Sequence, residues 1–194
     1  MAAQASIKMK DFSFQIGALE VVARVYRDES RGATKRHRGD HGTDYLFVVG
    51  EILVLQDGSP ALIANQDETY NMQEWLSSMK KQLQHPFDIS DLVENPINLV
   101  SEWMVGYWDD VGNECESASD ATLYDKLKAT LLQSDSRQGI LAIYRNLGRA
   151  YIDCATRPNS GDTYAFRHSQ FDTPTAAICV DEVRRRIAAY VHPA

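Results

Sequence analysis

The sequence lacks the features that mark several large classes of protein. Its three cysteines, Cys115, Cys154 and Cys179, are odd in number, widely spaced and in no CxxC pattern, so neither a disulfide framework nor a zinc knuckle is indicated. No stretch of about 18 apolar residues occurs. The N-terminus has lysines at positions 8 and 10 and lacks the apolar core of a secretory signal. We therefore expect a cytoplasmic protein that does not enter a membrane.

The common catalytic and nucleotide-binding motifs are also missing. The chain contains no GxGxxG, no GxxxxGK[ST], no kinase signature and no serine or cysteine in a nucleophile-elbow context. The sequence therefore predicts no cofactor and no metal, and it favours a protein that is not an enzyme. An active site assembled from distant residues leaves no local trace, so an enzyme stays as the alternative.

Composition and charge limit the fold and the partner. Hydrophobic residues make up 44% of the 194 residues and charged residues 24%, which is typical of a globular protein with a packed core. This length predicts one domain over residues 1–194, with a subdivision near 116–120 as the alternative. The net charge of −7 disfavours nucleic acid as the main partner and favours a basic protein.

Hydrophobic periodicity predicts strands through most of the N-terminal half. Alternation of apolar residues predicts a strand over 8–16 and a second over 19–26, joined into a hairpin by a turn at Gly17 and Ala18. Residues 27–43 are rich in glycine, charge and histidine and predict a long exposed loop.

The most apolar and β-branched stretch, residues 44–55, predicts the central strand, and residues 61–64 should return antiparallel beside it. Helical spacing then predicts a helix that begins near residue 71 and ends before His85-Pro86. Its apolar line is Met72, Trp75, Leu76, Met79 and Leu83.

The C-terminal half contains both the two-residue spacing that is typical of strands and the 3.6-residue spacing that is typical of helices. Residues 97–108 predict one or two further strands, and a helix capped at residue 119 or 120 should run to about 134. Residues 140–156 fit either a helix or a hairpin, and the hairpin is favoured. A final helix should begin with Thr173 as its N-cap and Pro174 at its first position, with an apolar line of Ile178, Val183, Ile187 and Tyr190.

These elements together predict an α+β fold, in which a mainly antiparallel β-sheet from the N-terminal half packs against three or four helices. A further alternative is a regulatory or structural subunit that self-associates as a homodimer, through a sheet edge or the helix at 180–191.

A basic cluster lies in the predicted loop. Lys35, Arg36 and Arg38 could contact phosphate or an acidic surface, and the alternative is a solvated loop. Two histidines, His37 and His41, stand four residues apart there, but Gly39 between them weakens a helix and no HExxH glutamate is present. A metal site is therefore disfavoured.

A second polar patch could form around His168, with Arg167 and Tyr164 beside it. We interpret His168 as a surface histidine, because no nucleophile motif accompanies it. The enzymatic alternative is a small hydrolase or nuclease that uses His37, His41 or His168 with nearby carboxylates.

The most unusual feature is a stretch of one charge sign, here called the acidic segment (residues 88–125). It contains ten acidic residues and neither lysine nor arginine. The acidic residues are Asp88, Asp91, Glu94, Glu102, Asp109, Asp110, Glu114, Glu116, Asp120 and Asp125.

Aromatic residues interleave with these carboxylates, and the combination is suited to a basic protein partner, since the rings can be buried in an interface while the charges steer association. The predicted partner contacts are Glu102, Trp108, Asp109, Asp110, Glu114 and Glu116. The alternative is that Trp103 and its neighbours are core residues of a strand and the carboxylates keep an outer face soluble.

Four short sequences carry a resemblance to a known class of proteins. Asp44-Tyr-Leu-Phe, Glu74-Trp75-Leu76, Glu94-Asn-Pro-Ile97 and Gly106-Tyr-Trp108 occur in an order that resembles small bacterial immunity proteins of polymorphic toxin and contact-dependent inhibition systems. The resemblance implies a cytosolic, non-enzymatic inhibitor that binds a cognate toxin, often a nuclease with a basic cleft. It rests on element order, size and acidity, so it assigns no functional residue.

Overall fold

The computed structural model describes residues 7–28, 34–38, 44–48, 50–56, 59–65, 72–92, 126–132, 139–156 and 164–191. The fold is α+β, as predicted. Its strands are β1 (Ile7–Ile16), β2 (Leu19–Asp28), β3 (Thr34–Arg38), β4 (Asp44–Val48), β5 (Gly50–Gln56), β6 (Ser59–Asn65), β7 (Phe87–Asp88), β8 (Gly139–Asn146), β9 (Arg149–Thr156) and β10 (Ala165–Phe171). Its two long helices are α1 (Met72–Gln84) and α2 (Thr173–Val191).

Sheet 1 is antiparallel, in the order β1-β2-β5-β6, and it confirms the predicted N-terminal hairpin. Gly17 adopts a φ of 59° in the turn, and a methyl group there would lie 2.4 Å from the carbonyl oxygen of Gln170. The alternating apolar residues of both strands are buried, as the period-two pattern requires. They are Phe12, Phe14, Ile16, Leu19, Val21, Ala23 and Val25.

The predictions for residues 27–55 are partly wrong. Residues 34–38, expected in a loop, form β3, and the expected single strand over 44–55 is two strands in different sheets, with β4 paired to β3 and β5 paired to β2 and β6. A methyl group on Gly50 would lie 2.0 Å from the carbonyl oxygen of Arg24. Only glycine therefore allows β5 to approach β2 at this point, a tertiary constraint that hydrophobicity does not reveal.

Helix α1 confirms its prediction. It ends at Gln84, just before His85-Pro86, and the five residues of its apolar line are the buried ones. Sheet 2 has the order β10-β9-β8-β7 and confirms the favoured hairpin at 140–156. The turn residues Leu147 and Gly148 have φ values of 47° and 78°, which is typical of a two-residue turn between twisted strands. The C-terminal half thus builds a sheet of its own, which the predicted fold, with its sheet mainly from the N-terminal half, did not include.

The helix expected to run to about 134 ends earlier. Residues 126–128 are helical, and Leu131 instead forms a β-bridge to Ala142. The edge of β8 supplies backbone hydrogen-bond partners that local sequence does not show. The part of the prediction over 97–125 lies outside the described residues.

Helix α2 is capped one residue earlier than predicted. The Asp172 carboxylate accepts hydrogen bonds from the backbone N–H and the hydroxyl of Thr175, and these bonds lower the pKa of Asp172. Val183 and Ile187 are buried as predicted, but Ile178 is 64% exposed, because five residues place it about 140° around the helix from Val183. The apolar face at 180–191 packs in the core and is not free for self-association.

Two hydrophobic clusters lie on opposite faces of sheet 2. The main core joins sheet 1, both helices and one face of β8 and β9, through residues such as Leu141 and Ile143. The second cluster contains the alternate residues of β8, among them Ala142 and Tyr144. No helix among the described residues is long and apolar enough to cross a membrane.

Candidate functional site

The acidic segment lies mostly outside the described residues, which cover only its first five, 88–92. All six predicted partner contacts, Glu102, Trp108, Asp109, Asp110, Glu114 and Glu116, fall in 93–125. Trp103, whose burial would favour the alternative, falls there as well. The predicted interface therefore stays a prediction. The structure describes the two pieces of chain on either side of it, residues 87–92 and 126–132, which are here called the anchors.

Both anchors lie along the same edge of strand β8. At the start of the acidic segment, β7 pairs in parallel with Tyr144 and Arg145 of β8. The Ile89 N–H donates to the Arg145 carbonyl at 2.9 Å. At the end, the Leu132 N–H donates to the Leu141 carbonyl at 2.9 Å. The two attachment points, the carbonyls of Arg145 and Leu141, are therefore roughly 13 Å apart along the strand.

Apolar side chains fix both anchors to the second cluster. Ile89 and Leu127 are fully buried there, and Leu92 and Leu131 pack against it. They cover the face of β8 that carries Tyr144, so the chain leaves and rejoins the described fold over one patch of sheet 2. Buried anchors of this kind hold the ends of a long connection at a fixed separation.

The two anchors differ in charge. Asp88 and Asp91 are exposed, and the Ser90 hydroxyl and backbone N–H both donate to the Asp88 carboxylate, which lowers its pKa. Lys126 and Lys128 are exposed at the other end. The negative charge of the segment thus begins on the surface at β7 and ends where the lysines appear.

The basic cluster belongs to the β3–β4 hairpin. Lys35, Arg36, His37 and Arg38 are all on β3, of which the structure describes the backbone path. His41 lies outside the described residues. The predicted contact of this cluster with phosphate or an acidic surface therefore stays a prediction.

His168 differs from the predicted surface histidine, because its side chain is only 18% exposed. It lies opposite Asp153 across β10 and β9. Its Nδ1 is 2.6 Å from Oδ1 of Asp153, a carboxylate with no exposed surface, and its ring stacks on Tyr151 with centroids 4.9 Å apart. The signal that could have found this site is an aspartate between Ile152 and Cys154, in the stretch 150–155 where the other residues are apolar or aromatic.

Tyr144 completes a buried polar network around that carboxylate. Its hydroxyl donates to Asp153 Oδ1 at 3.0 Å and lies 3.3 Å from His168 Nδ1. Burial, followed by the nearby Asp153 carboxylate, raises the pKa of Tyr144, so the phenol stays protonated and keeps donating. The network therefore gives Oδ1 of this buried acid hydrogen bonds of the kind that burial requires.

Chemically, a carboxylate bound to Nδ1 orients an imidazole for acid–base work at Nε2. A hydrolase also needs a nucleophile or an activated water. Cys154 follows Asp153 in the chain but belongs to the main core on the opposite face, and burial raises its pKa to about 12. That thiol is therefore not a nucleophile for His168. In the part of the chain that the structure describes, no group of three or more His, Cys, Asp or Glu side chains could hold a metal ion.

No protein-family model, no curated protein and no solved structure matches the chain.

Proposed function

We propose that the protein is a non-enzymatic binding protein, an immunity-type inhibitor that occludes a basic protein partner such as a toxin nuclease in the cytoplasm. The observation that carries the proposal is the acidic segment itself, with ten carboxylates and no lysine or arginine. A charge run of one sign attracts a partner of the opposite sign and raises its association rate.

The two anchors support this proposal in a second way. The segment starts and ends on one edge of β8, where buried leucine and isoleucine side chains hold both ends. An interface that is tethered at both ends loses less conformational entropy on binding than a free tail of the same length.

The enzymatic alternative would rest on the pair of Asp153 and His168. The neighbouring thiol of Cys154 is not a nucleophile for His168, and the hydrogen bonds at Oδ1 of Asp153 stabilise a buried acceptor without any catalytic role. Binding is therefore the function that the residues support best.

The test uses the product of the neighbouring open reading frame as the candidate toxin. We expect the triple variant Asp109→Lys, Asp110→Lys, Glu114→Lys to associate with it about tenfold more slowly at low salt, with a flatter salt dependence. Stopped-flow or surface-based association kinetics at several ionic strengths provide the measurement.

A matched control separates local from total charge. Glu20→Lys, Glu74→Lys, Glu182→Lys changes the net charge by the same amount on α1, α2 and sheet 1, and we expect it to keep most of the wild-type rate. Equal slowing by both triple variants would show that net charge alone acts and would contradict the predicted surface. A neighbouring gene product that does not bind the wild type would contradict the immunity assignment.

A further inference from the structure

Strand β1 is the edge of sheet 1, and among the described strands it pairs only with β2. Ser13 on its outer face is exposed, whereas Val22, directly opposite on β2, is buried. In the part of the chain that the structure describes, no hydrogen bond joins the backbone of residues 9–16 to anything but β2. The outer edge of β1 therefore presents a row of backbone N–H and C=O groups that can pair with another strand.

The other edge strands of the two sheets are shorter or partly covered. Strand β6 approaches β8 and β9 of sheet 2, and β7 has two residues. Strand β10 meets the β1–β2 turn, where the Ala18 N–H donates to Ser169 Oγ at 2.7 Å. With 10 residues, β1 is the longest edge strand of these two sheets, and its edge is the open one.

The charged side chains in the middle of β1 are held by their own chain. A lysine on an edge strand usually hinders pairing, but the Lys10 ammonium lies 5.3 Å from the centre of the Phe12 ring and 4.9 Å from that of Tyr190. Asp11 pairs with Arg24 on β2 at 2.8 Å. Both charges are therefore engaged over the faces of sheet 1 and do not block its edge.

The charge pattern of β1 also allows it to pair with itself. Two identical strands that pair antiparallel are related by a twofold axis, and residues directly opposite each other lie on the same face of the sheet. Like charges at such positions are unfavourable. A twofold axis at Lys10 or at Asp11 would place that residue opposite its own copy, so these two registers are disfavoured.

An axis at Phe12 avoids this repulsion. It places Lys10 opposite Phe14 of the second copy and Asp11 opposite Ser13, so no like charges are opposed. It also pairs residues 8–16 with the same residues of the other copy, which is nearly the whole strand. Main-chain hydrogen bonds along such a length are the source of affinity when a strand is added to a sheet edge.

We propose that β1 pairs antiparallel with β1 of a second copy of the chain, centred on Phe12, so that two copies of sheet 1 form one continuous sheet. The contact uses the same surface on both copies and closes on itself, which limits the assembly to a dimer. It uses neither the acidic segment nor the basic partner of the proposed function.

Sedimentation velocity of the full chain tests whether this dimer forms. We expect an equilibrium between monomer and dimer at concentrations below about 1 mM, without larger species. A chain that stays monomeric up to that concentration, or that forms open-ended oligomers, would overturn the proposal.

Two substitutions at the exposed Ser13 test the register. Ser13→Asp places a carboxylate opposite Asp11 of the second copy, twice in each dimer, and should raise the dissociation constant about tenfold. Ser13→Lys places an ammonium there and should lower the dissociation constant. Ser78→Asp, the same change at an exposed position of α1, is the matched control and should leave it unchanged. Equal weakening by both Ser13 variants, or by Ser13→Asp and Ser78→Asp, would contradict the proposed pairing.

Hydrogen exchange followed by mass spectrometry identifies the edge itself. Amides within residues 9–16 should exchange more slowly as the dimer forms, while exchange in β9 stays the same. Slower exchange at 9–16 that requires the neighbouring gene product would assign the edge to that partner and overturn the pairing of two copies. A monomeric chain that still binds the neighbouring gene product would leave the proposed function standing, so the two proposals fail separately.

Discussion

At the scale of single residues, the most constrained group is the carboxylate of Asp153. It has no exposed surface, and it accepts hydrogen bonds within a network of His168 and Tyr144. A buried carboxylate is costly unless such partners surround it. Removing it would in turn leave a buried phenol and a half-buried imidazole without their acceptor.

Asp153→Ala is therefore expected to lower the free energy of unfolding by about 3 kcal/mol. Asp11→Ala is the control, because Asp11 pairs with Arg24 at the surface and its loss should cost less than about 1 kcal/mol. Urea unfolding followed by circular dichroism measures both. A similar small cost for the two variants would show that Asp153 is not a structural acceptor.

At the scale of secondary-structure elements, two hairpin turns use glycine for different reasons. Both Gly17 and Gly148 have a positive φ, which costs other residues roughly 1–2 kcal/mol. Gly17 also faces Ser169 and Gln170 across the junction of the two sheets, and the Ala18 N–H donates to Ser169 Oγ at 2.7 Å. Gly148 faces open space.

Gly17→Ala is accordingly expected to destabilise the protein by about 3 kcal/mol, from backbone strain together with steric overlap. Gly148→Ala carries the strain alone and should cost about 1 kcal/mol. Thermal or urea unfolding of the pair gives the comparison. Equal costs would mean that the β1–β2 turn is not held against β10.

These two turns also show what local sequence can and cannot reveal. The pattern predicts the turn at Gly17 and Ala18 and favours a hairpin over 140–156, because hairpin turns are local structures that need particular residue types. The contact of Gly17 with β10 joins residues about 150 positions apart in the chain. No local pattern encodes such a distance.

At the scale of the whole molecule, one core connects the two halves of the chain. It contains Phe12 and Val21 from sheet 1, Leu141 and Ile152 from sheet 2, and residues of both helices. A shared core couples the stability of these strands and helices, because a change in packing at one position affects the residues that it contacts in the other elements. We expect the two sheets to unfold together.

Leu141→Ala tests this coupling, because Leu141 has no exposed surface in that core. We expect a loss of about 3 kcal/mol, together with faster amide exchange in β2 as well as in β9. Hydrogen exchange followed by mass spectrometry resolves the two strands. Acceleration confined to β9 would show that the sheets open independently.

Sequence by itself determined the elements whose signals are local. The period-two strands β1 and β2 and the buried line of α1 follow from side-chain spacing and turn chemistry, because each depends on neighbours within a few residues. For residues 140–156 the spacing fits a helix as well as the favoured hairpin, and the pairing of β8 with β9 decides between them. The charge of the acidic segment is equally a property of the sequence, although its partner contacts are still a prediction.

Tertiary structure decided the features that need distant groups to meet. The split of residues 44–55 between two sheets depends on the approach of Gly50 to β2. The early end of the helix before Leu131 depends on the edge of β8. The exposure of Ile178 depends on which side of α2 meets the core. The burial of His168 against Asp153 is of the same kind. Hydrogen bonding and packing across the fold outweigh local preference at these positions, since their free energies exceed the small differences in propensity.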